Sequence, residues 1–250
     1  MNGDSGVGSE VQRFVVIATP RSGSNWLCTL LDSHPQILCH HELFNPDGVH
    51  IARSLRDTGF DIGGLELQRS HPLELLERAW SKPLEFSHLG FKLNIDQPAE
   101  VFSAVIKDPS IRKILVSRLN RVRAFVSECI AEASGQWESY PESARPSRPL
   151  PVQADPARLL EHARRNAEFL GEIRKQLASH GQESLEIFYE SIGQDDTHRR
   201  ILEYLGARPD VPLRGRTRRM NPEPLSDLVR NYDELATALA DTDLASDLEA

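Results

Sequence analysis

The stretch FVVIATPRSGSNWLCTLLD, from Phe14 to Asp32, joins a run of β-branched residues to a short polar loop and an apolar helical pattern. A strand, a tight loop (residues 19–25) and a helix start make an anion site, because the loop amides and the positive end of the helix dipole converge on one point. Arg21 adds a fixed positive charge, and Ser22 and Ser24 add hydroxyl donors. The stretch therefore predicts a site for a phosphate or a sulfated phosphate.

Strand-like and helix-like segments alternate from Val11 to about Gly206 with no obvious linker. Such alternation is typical of a parallel sheet with right-handed crossovers, and it predicts an α/β fold whose central parallel sheet is flanked by helices. We expect one domain over residues 1–250, a length that can bury a core. Within it we expect a flexible leader at 1–11, a Pro-rich loop or lid at 135–154 and an acidic, frayed tail at 241–250.

Periodicity and capping signals place the elements more closely. The expected strands cover residues 13–19, 36–39, 88–93, 113–117 and 185–189. The expected helices cover residues 25–33 (capped by Ser24 or Asn25), two segments within 47–82, and residues 98–107, 120–133, 156–180, 195–206 and 225–239. Ligands of such sheets bind beyond the carboxyl ends of the strands, so the loops at 19–25, 40–46 and 118–121 and the residues after Tyr189 should meet at one edge.

Composition argues against several classes of protein. The chain carries 29 basic and 37 acidic residues, a net charge of -8, whereas a nucleic-acid-binding protein normally has a basic excess. Three widely spaced cysteines fit a reduced setting better than a disulfide framework. The polar N-terminal residues do not read as a signal peptide, and no window is apolar enough for a membrane span. We expect a cytoplasmic protein that binds no nucleic acid and does not span a membrane.

A nucleotide kinase with an ordinary P-loop is one alternative. The pattern G-x-x-x-x-G-K-[ST] is absent, the loop has one glycine, and no lysine follows it. Without that lysine and the adjacent metal-binding hydroxyl, magnesium-assisted phosphoryl transfer lacks its usual groups. The loop suits a terminal anionic group that needs no metal.

The motif TPRSGSNWLCTLLDSHP, residues 19–35, resembles the 5′-phosphosulfate loop of sulfotransferases that use 3′-phosphoadenosine 5′-phosphosulfate (PAPS). A second landmark of that family is an arginine after a central strand with a serine about eight residues later. Arg118 and Ser127 are similar to it, with a spacing one residue longer. Residues 188–192 are similar to a Tyr-Glu-Asp-Leu element of the same family. Residues 218–225 and 231–235 resemble the carboxyl end of bacterial carbohydrate sulfotransferases of the nodulation-factor and trehalose-lipid type. The resemblance spans roughly residues 13–240 and implies a P-loop-like, three-layer α/β fold.

The resemblance also implies how the donor loop would act. The 5′-phosphate would be held by Arg21, Ser22, Gly23, Ser24 and Asn25. Because a guanidinium is a poor proton donor, Arg21 would stabilise the leaving group electrostatically and not by general-acid transfer.

The 3′-phosphate of PAPS would be held by Arg118 and Ser127. The longer spacing leaves open that Arg121 shares this role, and a structural ion pair is the alternative for Arg118. A basic loop after the last strand would add Arg218 or Arg219. Trp26 is a candidate for stacking on adenine, although its place on a helix face favours core packing.

An acceptor hydroxyl needs a base, and Glu42 is the first candidate because it matches a glutamate that bacterial carbohydrate sulfotransferases carry in this segment. We expect it to be partly buried with a raised pKa, so that it accepts a proton near neutral pH. His40 and His41 are the alternatives, since imidazole titrates in the right range. Lys92 is a candidate for reaching the cofactor or the acceptor, with a solvated strand end equally plausible.

These histidines, with His34 and Cys39, match no common zinc spacing, so we expect no metal. The interpretation that follows is a PAPS-dependent sulfotransferase acting on a hydroxyl of a carbohydrate or glycolipid, with no metal cofactor. A nucleotide kinase and a non-catalytic nucleotide or sulfate-ester binder are the alternatives, and a homodimer is left open.

Overall fold

A parallel sheet forms the centre of the computed structural model, which describes residues 11–81, 85–138, 151–215 and 220–248. Its five strands lie in the order β2-β3-β1-β4-β5, and every neighbouring pair is parallel. The strands are β1 (Gln12–Ala18), β2 (Ile37–Glu42), β3 (His88–Asn94), β4 (Ile111–Ser117) and β5 (Ser184–Phe188). The predicted α/β class with a central parallel sheet is confirmed.

Helices connect the strands and cover both faces of the sheet. In chain order they are α1 (Ser24–Leu31), α2 (Leu65–Ser70), α3 (Pro72–Ser81), α4 (Ala99–Lys107), α5 (Arg121–Ser134), α6 (Pro156–Ser179), α7 (Asp195–Leu205), α8 (Leu225–Leu228) and α9 (Tyr232–Leu239). Among the described helices, none combines the length and hydropathy needed to cross a bilayer.

The central strand β1 contributes to two separate cores. Val15 and Ile17 pack with residues of α3, α4 and α6 on one face. Phe14 and Val16 pack with residues of α1 and α7 on the other. Because successive side chains of a strand point to opposite faces, a strand covered on both sides needs the continuous apolar run that β1 has.

Strand β2 is longer than predicted. It runs from Ile37 through His40 and His41 to Glu42, although residues 40–46 were expected to form a loop. Its register against β3 shifts between Cys39 and Glu42, and Glu42 is then paired with Lys92. The polar residues continue the strand because they lie at its carboxyl end, beside a partner strand that carries a buried lysine.

Helix α1 begins at Ser24 and ends at Leu31, two residues earlier than the predicted end. The predicted cap, Ser24 or Asn25, is wrong: Gly23 is the N-cap and adopts a left-handed conformation. A side chain can cap a helix only when the backbone before the helix has the right conformation. The sequence did not indicate that the residue before this helix is left-handed.

The predicted final helix at 225–239 is two helices, α8 and α9. Val229, between them, forms a parallel bridge with Val152, and the amide of Val152 donates to the carbonyl of Leu228 at 2.9 Å. This pairing across the chain removes residues 229–231 from the helix.

The tail after Asp241 is ordered where the structure describes it, contrary to the prediction of fraying. Residues Ala245–Leu248 form a 3-10 turn, Leu244 is buried, and Asp247 binds Arg121 at the start of α5. The leader at 1–10 and residues 139–150 of the Pro-rich segment lie outside the described residues.

Candidate active site

The loop between β1 and α1 has two residues in the left-handed region of backbone space. Arg21 has φ 55° and Gly23 has φ 82°, and the Ser22 hydroxyl donates to the Thr19 carbonyl at 2.7 Å. A Cβ atom on Gly23 would lie 2.5 Å from Cδ2 of Tyr189. Both the φ value and the contact require glycine here. Non-glycine residues at positive φ are costly and cluster at functional sites, which fits the position of Arg21.

The start of α1 is open to an anion. Within the described part of the chain no side chain caps this helix, and the first amides of a helix have no partner inside it. Ser22 and Ser24 are buried beside these amides. The structure thus places the predicted loop residues at a positively polarised helix end.

The side chain of Arg21 connects this loop to residues that are distant in the sequence, on α5, just after it and near the start of α8. Its Nε donates to the Ser127 hydroxyl at 3.0 Å, its Nη1 to the Trp137 carbonyl at 2.6 Å and its Nη2 to the Met220 sulfur at 3.4 Å. Burial lowers the pKa of Arg21, which Glu128 and Glu138 partly offset, and an arginine stays charged under any ordinary condition. The structure therefore brings together Arg21 and Ser127, which lie 106 positions apart in the chain.

Arg118 is held at the carboxyl end of β4. Its guanidinium carbon lies 4.2 Å from the centroid of the Tyr189 ring, a cation–π geometry. The Glu190 carboxylate accepts from the amides of Leu119 and Asn120 at 3.2 and 3.3 Å. The Tyr-Glu pair after β5 therefore fixes the turn that follows β4.

Arg118 and Ser127, predicted together from their spacing, line one small cleft. Its other polar side chains are Arg123 and Asn221, and Arg123 Nη1 donates to the Glu223 carbonyl at 3.1 Å. Sequence reasoning missed Arg123. Its position four residues before Ser127, on the same face of α5, was the signal that could have found it.

Glu42 is ion-paired, which the sequence did not predict. Its Oε1 lies 2.6 Å from Lys92 Nζ, and its Oε2 accepts from Gln97 at 2.8 Å and from Asn45 at 3.1 Å. Burial alone would raise the pKa of Glu42, but the charge and hydrogen bond of Lys92 leave it below its usual value. The expected raised pKa is therefore wrong, and Glu42 is ionised at neutral pH.

Lys92 is 2% exposed, so the alternative of a solvated strand end is wrong. Besides Glu42 it binds Asn25, whose side-chain oxygen accepts from Lys92 Nζ. The Asn25 amide in turn donates to Glu138. A chain of polar contacts thus runs from Glu42 through Lys92 and Asn25 to Glu138.

The two histidines before Glu42 are buried and neutral. Burial, with His41 adding a smaller effect, lowers the pKa of His40 to about 3, and its Nδ1 accepts from the Ala52 amide at 3.0 Å. Burial also lowers the pKa of His41 to about 4, although Glu138, 3.9 Å from its Nδ1, acts in the opposite direction. His40 is thereby fixed in the core, and the buried His41 lies near Glu138, Lys92 and Glu42.

The remaining candidates are placed as follows. Trp26 packs edge-to-face on Tyr189 and against Gly193 and Gly215, which fits the alternative of packing. Arg121 is bound by Asp243 and Asp247, which disfavours the alternative that it shares the 3′-phosphate. Arg218 and Arg219 lie outside the described residues.

Across the described ranges, no group of three or more histidines, cysteines or acidic residues is arranged to hold a metal.

No family model matches the chain. It is 28% identical over 247 residues to nodulation protein H of Rhizobium meliloti (strain 1021), a match that covers 92% of each chain. A match at 29% identity to nodulation protein H of Rhizobium tropici covers 51% of this chain and 49% of that protein. The solved structure of a sulfotransferase from Alicyclobacillus acidocaldarius superposes with a TM-score of 0.52 and 16% identity, covering 95% of this chain and 94% of that one.

The structural likeness, at this identity, concerns the fold. The sequence likeness to nodulation protein H agrees with the nodulation-factor type named from the motifs and extends over nearly the whole chain. The predicted resemblance to sulfotransferases is thereby confirmed, in sequence by nodulation protein H and in fold by a solved sulfotransferase.

Proposed function

We propose that the protein is a sulfotransferase that moves the sulfuryl group of PAPS to a hydroxyl of a carbohydrate or glycolipid. The observation that carries this proposal is the surroundings of Arg21: a partly buried guanidinium beside an uncapped helix start, hydrogen-bonded to Ser127. Such a helix start favours a phosphate or sulfate group. The sequence relatives and the shared fold support the reaction class.

The residues present fit a nucleotide with anionic groups at two ends. Arg21 and the amides of residues 22–25 would hold the 5′-phosphate, with Gly23 leaving room for the loop to turn. Arg118 and Ser127, which share one cleft, would hold the 3′-phosphate. Arg218 and Arg219 remain candidates for the same group.

When bound, PAPS supplies an activated sulfuryl group whose bond to the phosphate oxygen breaks during transfer. Arg21 and the helix amides would stabilise the negative charge that develops on that oxygen, which is fixed electrostatic stabilisation in a buried site. Glu42, ionised beside Lys92, would accept the proton of the acceptor hydroxyl. His41, neutral and 3.9 Å from Glu138, is the second candidate for that proton.

The test is calorimetric binding of 3′,5′-adenosine diphosphate (PAP) in the presence of EDTA, compared with ATP and magnesium. PAP should bind without a metal, and Arg21→Ala should weaken it strongly. Arg199→Ala is the matched control, since Arg199 is exposed on α7 and should bind PAP normally. Absence of PAP binding at millimolar concentration would contradict the proposal, and magnesium-dependent ATP binding instead would favour a kinase.

Turnover separates the enzyme from a non-catalytic binder. The release of PAP from PAPS should depend on a carbohydrate or glycolipid acceptor and should persist in EDTA. If PAP binds normally but no acceptor in a broad panel is sulfated, the protein is a binder that has kept the fold.

A further inference from the structure

Lys92 combines full burial with a position between two functional candidates. It lies in the middle of β3, where it is paired with Val16 of β1 on one side and with Glu42 of β2 on the other. Its ammonium group contacts Glu42 at 2.6 Å and also binds Asn25 in the first turn of α1. One cation therefore touches both the candidate base and the candidate donor loop.

A buried lysine is costly unless a partner compensates its charge. In a buried pair, the loss of one partner leaves the other charge uncompensated. Glu42 has further donors in Gln97 and Asn45, but in the described part of the site Lys92 is the cation in ion-pair contact with it. The ionised state of Glu42 therefore depends on Lys92.

We propose that Lys92 is a positioning residue for the transfer reaction, holding the Glu42 carboxylate in place and tying it through Asn25 to the loop that binds the donor. This inference rests on the proposed function. It assigns Lys92 no contact with the donor or the acceptor. Its role is to fix the position of Glu42, the candidate proton acceptor, relative to the loop at 19–25, the candidate anion site.

Other charged and titratable groups surround this pair. His41 precedes Glu42 on β2, Glu138 comes from the segment after α5, and the charge of Arg56 acts on His41. Glu138 binds Asn25 and so lies at the far end of the same chain of contacts. Removing the charge of Lys92 should therefore change the pKa of Glu42 more than that of the other groups, because Glu42 is its direct ion-pair partner.

The experiment measures the titration of Glu42 directly, by carbon NMR of protein labelled at glutamate, with the signal assigned through its loss in Glu42→Gln. In Lys92→Met the pKa of Glu42 should rise by about one to three units, the effect of removing an opposite charge at this distance. The affinity for PAP should fall in the same variant, because the side-chain oxygen of Asn25 loses the donor that Lys92 supplies.

Lys113→Met is the matched control. Lys113 is also fully buried, on the neighbouring strand β4, but its ammonium donates to the Asp108 carbonyl at 2.6 Å and to Gln182 at 3.0 Å. This variant should leave both the Glu42 titration and PAP binding unchanged. If Lys92→Met does not fold, Lys92→Gln, which keeps a donor without the charge, takes its place.

An unmoved Glu42 titration in the folded variant overturns the inference, even if the wild-type protein binds PAP and transfers sulfate. A wild-type protein that binds no PAP overturns the proposed function instead, and the inference with it. A shifted titration together with weakened PAP binding supports both.

Discussion

Arg21 and Arg121 are both held by several hydrogen bonds, but their partners differ in charge. Arg121 binds two carboxylates, with Nε 2.9 Å from Asp247 and Nη1 2.5 Å from Asp243. Among the described residues, the hydrogen-bond partners of Arg21 are a hydroxyl, a carbonyl and a sulfur atom. Direct ion pairs therefore neutralise the Arg121 guanidinium, whereas Arg21 is hydrogen-bonded to uncharged groups, as the proposed role in anion binding requires.

The difference separates two regions. The donor region comprises the loop at 19–25 with Glu42 and Lys92. The C-terminal ion cluster comprises Arg121, Asp243 and Asp247. Charges in the cluster are paired and hold elements together. In the donor region Glu42 is paired with Lys92, whereas the hydrogen-bond partners of Arg21 are uncharged. We expect substitutions in the donor region to change binding or turnover and those in the cluster to change stability.

The largest effect is expected from Glu42→Gln. If Glu42 accepts the proton of the acceptor, this isosteric change should lower the transfer rate by about 100- to 10,000-fold, with PAP affinity little changed. Asp247→Asn should leave the rate near that of the wild type. Initial rates of PAP release and calorimetry of PAP binding measure the two quantities. A wild-type rate in Glu42→Gln would show that Glu42 is not the base, and His41 would then be the candidate that accepts the proton.

Arg21→Ala should weaken PAP binding by about 100-fold, since hydrogen bonds from a charged donor contribute about 1.5–3 kcal/mol each. Arg121→Ala should bind PAP with the affinity of the wild type, provided binding is measured well below its melting temperature. Equal losses in the two variants would show that the contrast in their partners has no functional meaning.

Arg121→Ala should lower the free energy of unfolding by about 1–2 kcal/mol, because the cluster is partly exposed and its two carboxylates lose their counterion. Urea unfolding monitored by circular dichroism gives this value. Arg174→Ala is a control, since its ion pair with Glu186 is exposed and should contribute less. A loss no greater than that of the control would contradict the structural role of the cluster.

The smallest effect concerns acid stability. Because the folded pKa of Glu42 is lowered, its ion pair contributes stability above the unfolded pKa of about 4.3, and this contribution is lost as pH falls through the folded value. Melting temperatures from about pH 6 to pH 3 should show wild type and Glu42→Gln converging in acid. Parallel curves would mean that Glu42 has an ordinary pKa in the folded protein.

The fold and the position of the loop at 19–25 could be predicted because their signals are local. A few neighbouring residues are enough to predict the apolar run of β1, the loop at 19–25 and the start of α6 at Asp155 and Pro156. The structure has all three where they were expected. Two expectations stay predictions, namely the single-domain organisation and the cytoplasmic location, and the possibility of a homodimer stays open.

The features that were missed arise between distant residues. The pKa of Glu42 is set by Lys92, fifty positions later, and the break between α8 and α9 is set by the pairing of Val229 with Val152. Neither partner can be recognised from local pattern or propensity. The tail was expected to fray for the same reason, since its anchor is Arg121.

Helix α5 is supported from the end of the chain. Asn120, its N-cap, donates to the Asp247 carbonyl at 2.7 Å, and Arg121 binds Asp243 and Asp247. One and two turns further along, the same helix presents Arg123 and Ser127 to the cleft that they share with Arg118. A truncated protein that ends at Ala240 would lack every one of these supports, so we expect it to be less stable, and residues 243–248 should be retained in any protein prepared for the binding experiments.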